Sequence, residues 1–204
     1  MVVCLVSCGT LEKEVRALID KGSLKATPYF LPGELHADFG KLRKALERQL
    51  EKCSKKCREG IVVVYGDACH PEIQEIVKKY GAVKVGPALN CIECLMRKEE
   101  REILDPGKSL VYMSGGWLKL GRILFQDRWG WSAEEGKKQF SKCKGVVFLD
   151  SMRNYKEHKE EILEFCDYTG LPFLKKVDVG LENLRRLLLE AEQRLKDERR
   201  VKKR

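Results

Sequence analysis

Short β-branched runs alternate with amphipathic helical stretches along the whole chain, and this rhythm constrains the fold more than any other feature. Val2–Ser7, Lys25–Leu31, Ile61–Tyr65, Val83–Gly86, Leu110–Met113, Gly145–Asp150 and Pro172–Asp178 read as strands. Most are apolar almost throughout, the pattern of strands buried on both faces. Helical stretches lie between them at Leu11–Lys21, Lys41–Glu59, Pro71–Lys79, Cys91–Glu102 and Tyr155–Thr169, and a closing helix starts at Leu181. Within Lys41–Glu59, residues Leu42, Ala45, Leu46, Leu50, Cys53 and Cys57 follow helical spacing, with Lys, Arg and Glu elsewhere. That is the period of one buried helix face.

Strands that alternate with helices predict a parallel sheet covered on both faces. We expect an α/β fold, a single three-layer domain over residues 1–184 with a mostly parallel, Rossmann-like sheet. Trp117–Lys144 departs from the rhythm and reads as a helical insertion or lid. Residues 185–204 read as a basic C-terminal helix or tail, with nine Lys or Arg against four Asp or Glu out of a chain net charge of +9. Such a tail can meet an acidic partner, but it lacks the aromatic platform of a nucleic-acid site, so nucleic acid is not expected. The opening residues are apolar with no basic segment before them and turn polar at Gly9-Thr10-Leu11-Glu12. They read as a strand rather than a signal peptide. No apolar run approaches the roughly 18 residues of a spanning helix, so a cytoplasmic protein without membrane contact is expected.

The nine cysteines are an odd count in a long chain without an export signal, which points to reduced thiols rather than a disulfide framework. Cys8, Cys69 and Cys91 each follow a strand and precede a helix. In a parallel sheet such positions share the carboxyl edge of the strands, where open α/β folds bind ligands. Helix N-termini at that edge favour thiolate over thiol. We expect these three cysteines to converge as metal ligands. A four-iron, four-sulfide (4Fe-4S) cluster would take three thiolates and leave one iron open, whereas zinc would need a fourth ligand, from His36 or Cys94, or an open position. The cluster would hold the three sulfurs roughly 6–7 Å apart and one zinc ion would hold them within about 4 Å.

Other residues carry weaker signals. Cys91-Ile92-Glu93-Cys94 is a CxxC at a helix start, the arrangement of dithiol redox proteins, with Asn90 and Glu93 as a helix cap. Cys53 and Cys57 continue the apolar stripe of their helix and read as core packing, while Cys4, Cys143 and Cys166 read as structural. His36 and Asp67 are the candidate acid/base groups. Tyr65, Gly66, Gly115, Gly116 and Trp117 follow strand ends, where glycine permits close approach of a cofactor and Trp117 offers a stacking face. His158, among Lys and Glu, reads as solvated and without a role. The absence of GxGxxG and of a P-loop argues against a dinucleotide or nucleoside triphosphate.

Cys8-Gly9, Leu35-His36, Tyr65-Gly66 followed by Cys69, Asn90-Cys91-Ile92 and Gly116-Trp117 are the segments by which the chain resembles a known family. This is the domain-of-unknown-function family sixteen-thirty-eight of methanogenic archaea and anaerobic bacteria. The resemblance implies a compact α/β protein whose recurring cysteines correspond to Cys8, Cys69 and Cys91. It also implies company with methylamine methyltransferases and corrinoid proteins, hence a role in anaerobic one-carbon metabolism. His70-Pro71 stands after Cys69 where many members have a glycine-rich turn. The expected function is therefore an iron–sulfur metalloprotein, enzyme or accessory factor, in corrinoid-linked methyl metabolism. The alternatives are a zinc–thiolate methyltransferase and a non-enzymatic module that binds a corrinoid or docks a methyltransferase.

Overall fold

The computed structural model describes residues 2–202 and has an α/β architecture in which the strands pair in parallel. In chain order the elements begin with β1 (Val3–Cys8), α1 (Glu12–Asp20), β2 (Ala26–Leu31), α2 (Phe39–Lys56), β3 (Ile61–Val64), α3 (Ile73–Lys79), β4 (Val83–Lys84) and α4 (Cys91–Leu95). They continue with α5 (Lys98–Leu104), β5 (Leu110–Met113), α6 (Gly115–Arg122), α7 (Ala133–Gln139), β6 (Gly145–Asp150), α8 (Lys159–Thr169), β7 (Phe173–Asp178) and α9 (Glu182–Lys202). The chain forms two compact units, one running to Cys94 and resuming at Glu182, the other spanning Leu95–Leu181.

The first unit holds a four-stranded sheet in the order β2-β1-β3-β4. On one face, Cys4, Val6, Cys8, Ile61 and Val63 pack against Leu42, Leu46, Leu50 and Cys53 of α2 and Ile73, Ile76 and Val77 of α3. The helical period of α2 is thus its buried stripe, and the helix starts where the Asp38 side chain accepts a hydrogen bond from the Lys41 N–H at 2.9 Å. The chain runs from β1 to β2 in one direction and from β2 past β1 to β3 in the other, and parallel crossovers are right-handed, so α1 covers the face opposite α2. There α9 joins it, burying Leu184, Leu187, Leu188, Ala191 and Leu195. Three layers result.

The second unit holds the sheet β5-β6-β7, with β6 buried along its whole length. Met113, Val146 and Phe148 pack with Leu118 of α6 and Ile162 and Phe165 of α8. Gly170, in the left-handed region at φ +69°, ends α8 as the sequence suggests.

Three expectations are corrected. The strands fall into two sheets rather than one, because alternation reveals strand type but not pairing partners. The helix expected over Cys91–Glu102 breaks into α4 and α5, where the Arg97 N–H donates to the Glu100 carboxylate at 3.2 Å at the start of α5. The stretch from 185 is part of α9, and its apolar stripe is core as far as Leu195, while residues 203 and 204 lie outside the described residues. His158 is buried rather than solvated, its Nδ1 lies 2.7 Å from Glu161 Oε2, and the absence of a side chain at Gly115 makes room for its ring. The segment 117–144 holds the end of α6, a π turn at Ile123–Arg128 and α7. Among the described residues, no helix is long and apolar enough to cross a membrane.

Candidate functional site

In the first sheet the chain passes from β1 outward to β2 and returns across to β3, so the order reverses between β1 and β3. Parallel sheets open a crevice at the carboxyl ends of strands flanking such a reversal. Cys8 ends β1. Past β3 come Tyr65, Gly66 and a 3-10 turn at Asp67–Cys69, and past β4 the chain reaches Cys91 at the start of α4. Gly66 lets the two latter turns meet: a Cβ there would overlap the Leu89 carbonyl and the Asn90 Cα. The turns are tied by the Asp67 N–H to Ala88 O at 3.0 Å and the Ala68 N–H to Leu89 O at 2.8 Å.

The cap expected at the CxxC is present. Asn90 Oδ1 accepts from the Glu93 N–H at 3.1 Å, and the Glu93 carboxylate accepts from the Leu89 N–H at 2.7 Å. From α9, the buried Asn183 amide donates to the carbonyls of Glu93 and Cys94 at 2.9 and 3.3 Å. A residue ninety positions away in sequence therefore fixes the thiol-bearing turn.

Cys8, Cys69, Cys91 and Cys94 are all buried. Cys8 feels the charge of Cys69, Cys69 feels Cys91, and Cys94 feels Cys91, Cys69 and Cys8. For Cys8, Cys69 and Cys94 the net shift is upward, opposite to the lowering expected of a helix terminus. Their helical turns are short, and burial dominates, pushing Cys8 up to about 11, Cys69 to about 12 and Cys94 higher still. Unligated, these sulfurs hold protons at neutral pH. Two sulfurs have donors of their own: the Thr10 hydroxyl donates to Cys8 Sγ at 3.1 Å, and the backbone of Gly66 donates to Cys69.

Tyr65 is the other buried group here. Its hydroxyl has no hydrogen-bond partner, and its ionisation feels Cys8, Cys69 and Cys91 in that order. The ring stacks on His36, centroids 5.9 Å apart. His36 Nδ1 lies 2.8 Å from Gly33 O. A carbonyl only accepts, so Nδ1 carries the proton and Nε2 keeps its lone pair. Burial lowers the His36 pKa and keeps the ring neutral. Asp67, the other acid/base candidate, pairs with Lys84 at 3.1 Å and accepts from Gln74 at 2.7 Å.

Sequence reading missed Lys84, Thr10 and Asn183. Lys84 is buried, donates to the Val85 and Tyr65 carbonyls at 2.8 and 3.3 Å, and its charge acts on Cys69 and Cys94. A lysine between Val83 and Val85 leaves no periodic signal; only a strand buried on both faces exposes its significance. Lys84 and Asp67 line a groove of about 990 Å³ with Lys78, Pro87 and Arg194, and the thiols are not among its lining residues. Soft sulfurs with N–H and O–H donors, a nearby ammonium and an unsatisfied phenol are a donor set suited to a metal–thiolate centre.

Gly115, Gly116 and Trp117 belong to the second unit, where both glycines open α6 and the partly buried Trp117 packs against the core. Cys143 and Cys166 lie in the same core, as expected of structural residues. A further correction concerns Cys4, Cys53 and Cys57. Their sulfurs all lie within 4.8 Å of one another, so the group could hold a metal ion, yet Cys4 and Cys57 are paired at disulfide distance. Cys57 caps α2 and packs on the same core as the helix's stripe, beside Cys4 of β1.

A family model described as "Protein of unknown function (DUF1638)" matches residues 30–188, well over half of the chain. The match spans Cys69, Cys91 and Cys94 and begins after Cys8. No curated protein and no solved structure matches the chain.

Proposed function

We propose, for a chain that belongs to the DUF1638 family of proteins of unknown function, that Cys8, Cys69 and Cys91 hold an iron–sulfur cluster. The observation that carries this reading is the Tyr65 hydroxyl, buried without a partner beside these three thiols. An orphaned donor in such a place costs about 1–3 kcal/mol unless an acceptor occupies the space.

When bound, such a cluster supplies an iron without a protein ligand, at which an exogenous ligand binds, and a centre for one-electron transfer. The chain's own residues have separate tasks. Thr10 and the Gly66 backbone donate to the sulfurs and disperse their negative charge. The Lys84 ammonium offsets charge on Cys69 and Cys94. Neutral His36 offers Nε2 as proton acceptor or extra ligand, and Tyr65 donates to whatever acceptor the site contains. The proposed setting is anaerobic, corrinoid-linked one-carbon metabolism, as enzyme or accessory factor, with a corrinoid protein or methylamine methyltransferase as partner. Its support is the family resemblance alone.

Purification without oxygen, followed by iron, sulfide, zinc and cobalt analysis, tests the reading. We expect iron and acid-labile sulfide in comparable amounts, with large losses in Cys8→Ser, Cys69→Ser and Cys91→Ser. Protein that carries no iron, or full iron in all three variants, would overturn it.

A further inference from the structure

The second cysteine group is built from elements that ordinary hydrogen bonds already hold together. Cys4 lies on β1, on the same core face as Cys8, while Cys53 is in the last turn of α2 and Cys57 caps that helix. The Cys57 N–H donates to Cys53 O at 2.8 Å, the Gly60 N–H to Cys57 O at 3.1 Å, and the Cys4 N–H to Gly60 O at 3.0 Å. A continuous hydrogen-bonded path thus connects the three residues, and their sulfurs stand within 4.8 Å of one another. Three thiolates on one cation with bonds of about 2.3 Å stand about 4 Å apart, so little rearrangement is needed. Gln49 Nε2 donates to Cys53 Sγ at 3.3 Å, a contact that orients the sulfur and stabilises charge on it. Cys4 and Cys53 are buried, whereas Cys57 is partly exposed and leaves an approach from solvent.

Cys4 and Cys57 also lie at disulfide distance, with Cα atoms 5.8 Å apart across 53 residues of sequence. The same sulfurs therefore suit two mutually exclusive uses. We propose that Cys4, Cys53 and Cys57 form a redox-gated site for a thiophilic divalent cation of the zinc class, open when reduced and abolished by the Cys4–Cys57 disulfide. A small dithiol opens it: the S–S bond breaks, the dithiol supplies two electrons and two protons, and it leaves as its own cyclic disulfide. The cation then displaces one proton from each of the three thiols to solvent, and water completes its coordination. This site is independent of the iron–sulfur reading, since it shares no ligand with it.

The experiment compares the full-length chain in its disulfide form and after reduction with dithiothreitol, removed anaerobically, by titration with Cd2+ and thiolate-to-metal charge-transfer absorption. We expect the reduced chain to take up one more Cd2+ per chain than the disulfide form. Cys53→Ser leaves the Cys4–Cys57 pair intact and should weaken this additional ion at least tenfold. Cys69→Ser, which removes a ligand of the other centre, should leave it unchanged. Cys4→Ser serves in place of Cys53→Ser if circular dichroism shows that the latter does not fold. Equal Cd2+ uptake in both redox states would overturn the proposal, as would an additional ion indifferent to the folded variant. Unfolding of the reduced chain in Zn2+ would do so as well, since the site needs three reduced sulfurs in the native fold.

Discussion

A methyl group at Gly66 would land on the Leu89 carbonyl and the Asn90 Cα, backbone atoms that cannot swing aside. Gly66→Ala should therefore cost about 1–3 kcal/mol in urea unfolding, as overpacking does. It should also lower metal loading, because the Cys69 and Cys91 turns lose their contact; full loading in the folded variant would argue that the turns need not touch. Thr10→Val keeps the shape of the side chain and deletes the donor to Cys8 Sγ. A loss of about 1 kcal/mol is expected, and unchanged stability would make that contact incidental. Both residues show how far single positions were legible. Gly66 stood out as a glycine after a strand, while Thr10 did not, since its role depends on a hydroxyl meeting a sulfur two residues back.

At the scale of elements, α9 does more than carry charge. Leu195 is core, and its side chain lies over Gly60, where any Cβ would collide with it. Arg194 donates to Lys84 O at 2.7 Å, and Arg199 pairs with Glu59 at 3.0 Å. Truncation after Arg194 removes Leu195 and should destabilise the chain by about as much as Leu195→Ala, on the order of 2–5 kcal/mol. Thermal melting of the two variants side by side checks this, and an unshifted melting temperature on truncation would show that the segment adds nothing to the core. At the other end of α9, Asn183→Ala leaves two buried carbonyls of the CxxC turn unsatisfied, at a cost of about 1–3 kcal/mol. Faster alkylation of Cys94 in the folded variant, followed by mass spectrometry, would report the loosened turn; an unchanged rate would show that the cap of Asn90 and Glu93 suffices.

For the molecule as a whole, buried thiols link stability to pH. Cys8 and Cys69 rise from an ordinary 9.0 to about 11 and about 12 on folding, mainly through burial. The folded chain thus holds these protons when the unfolded chain has released them. Their contribution is fully present below about pH 9 and is lost as pH rises through 11 to 12. The metal-free, reduced protein should become progressively less stable to urea across this range, and the slope should flatten in Cys8→Ser. An equal slope in that variant would assign the alkaline loss to other groups.

The alternation of apolar strands and striped helices was enough to determine an α/β fold with parallel strands, because burial on one or two faces imposes its period on the sequence directly. The positions of Cys8, Cys69 and Cys91 at strand ends followed from the same rhythm. Tertiary structure alone decided how the strands divide between two sheets, since pairing is a long-range choice that local periodicity does not encode. It also brought Cys94, Tyr65 and Lys84 to the three thiols and replaced an expected lowering of thiol pKa by a rise, because desolvation depends on the surrounding atoms rather than on the neighbouring residues. The pairing of Cys4 with Cys57 was invisible for a related reason. The two residues stand 53 positions apart, and only the packing of α2 on β1 brings their sulfurs together.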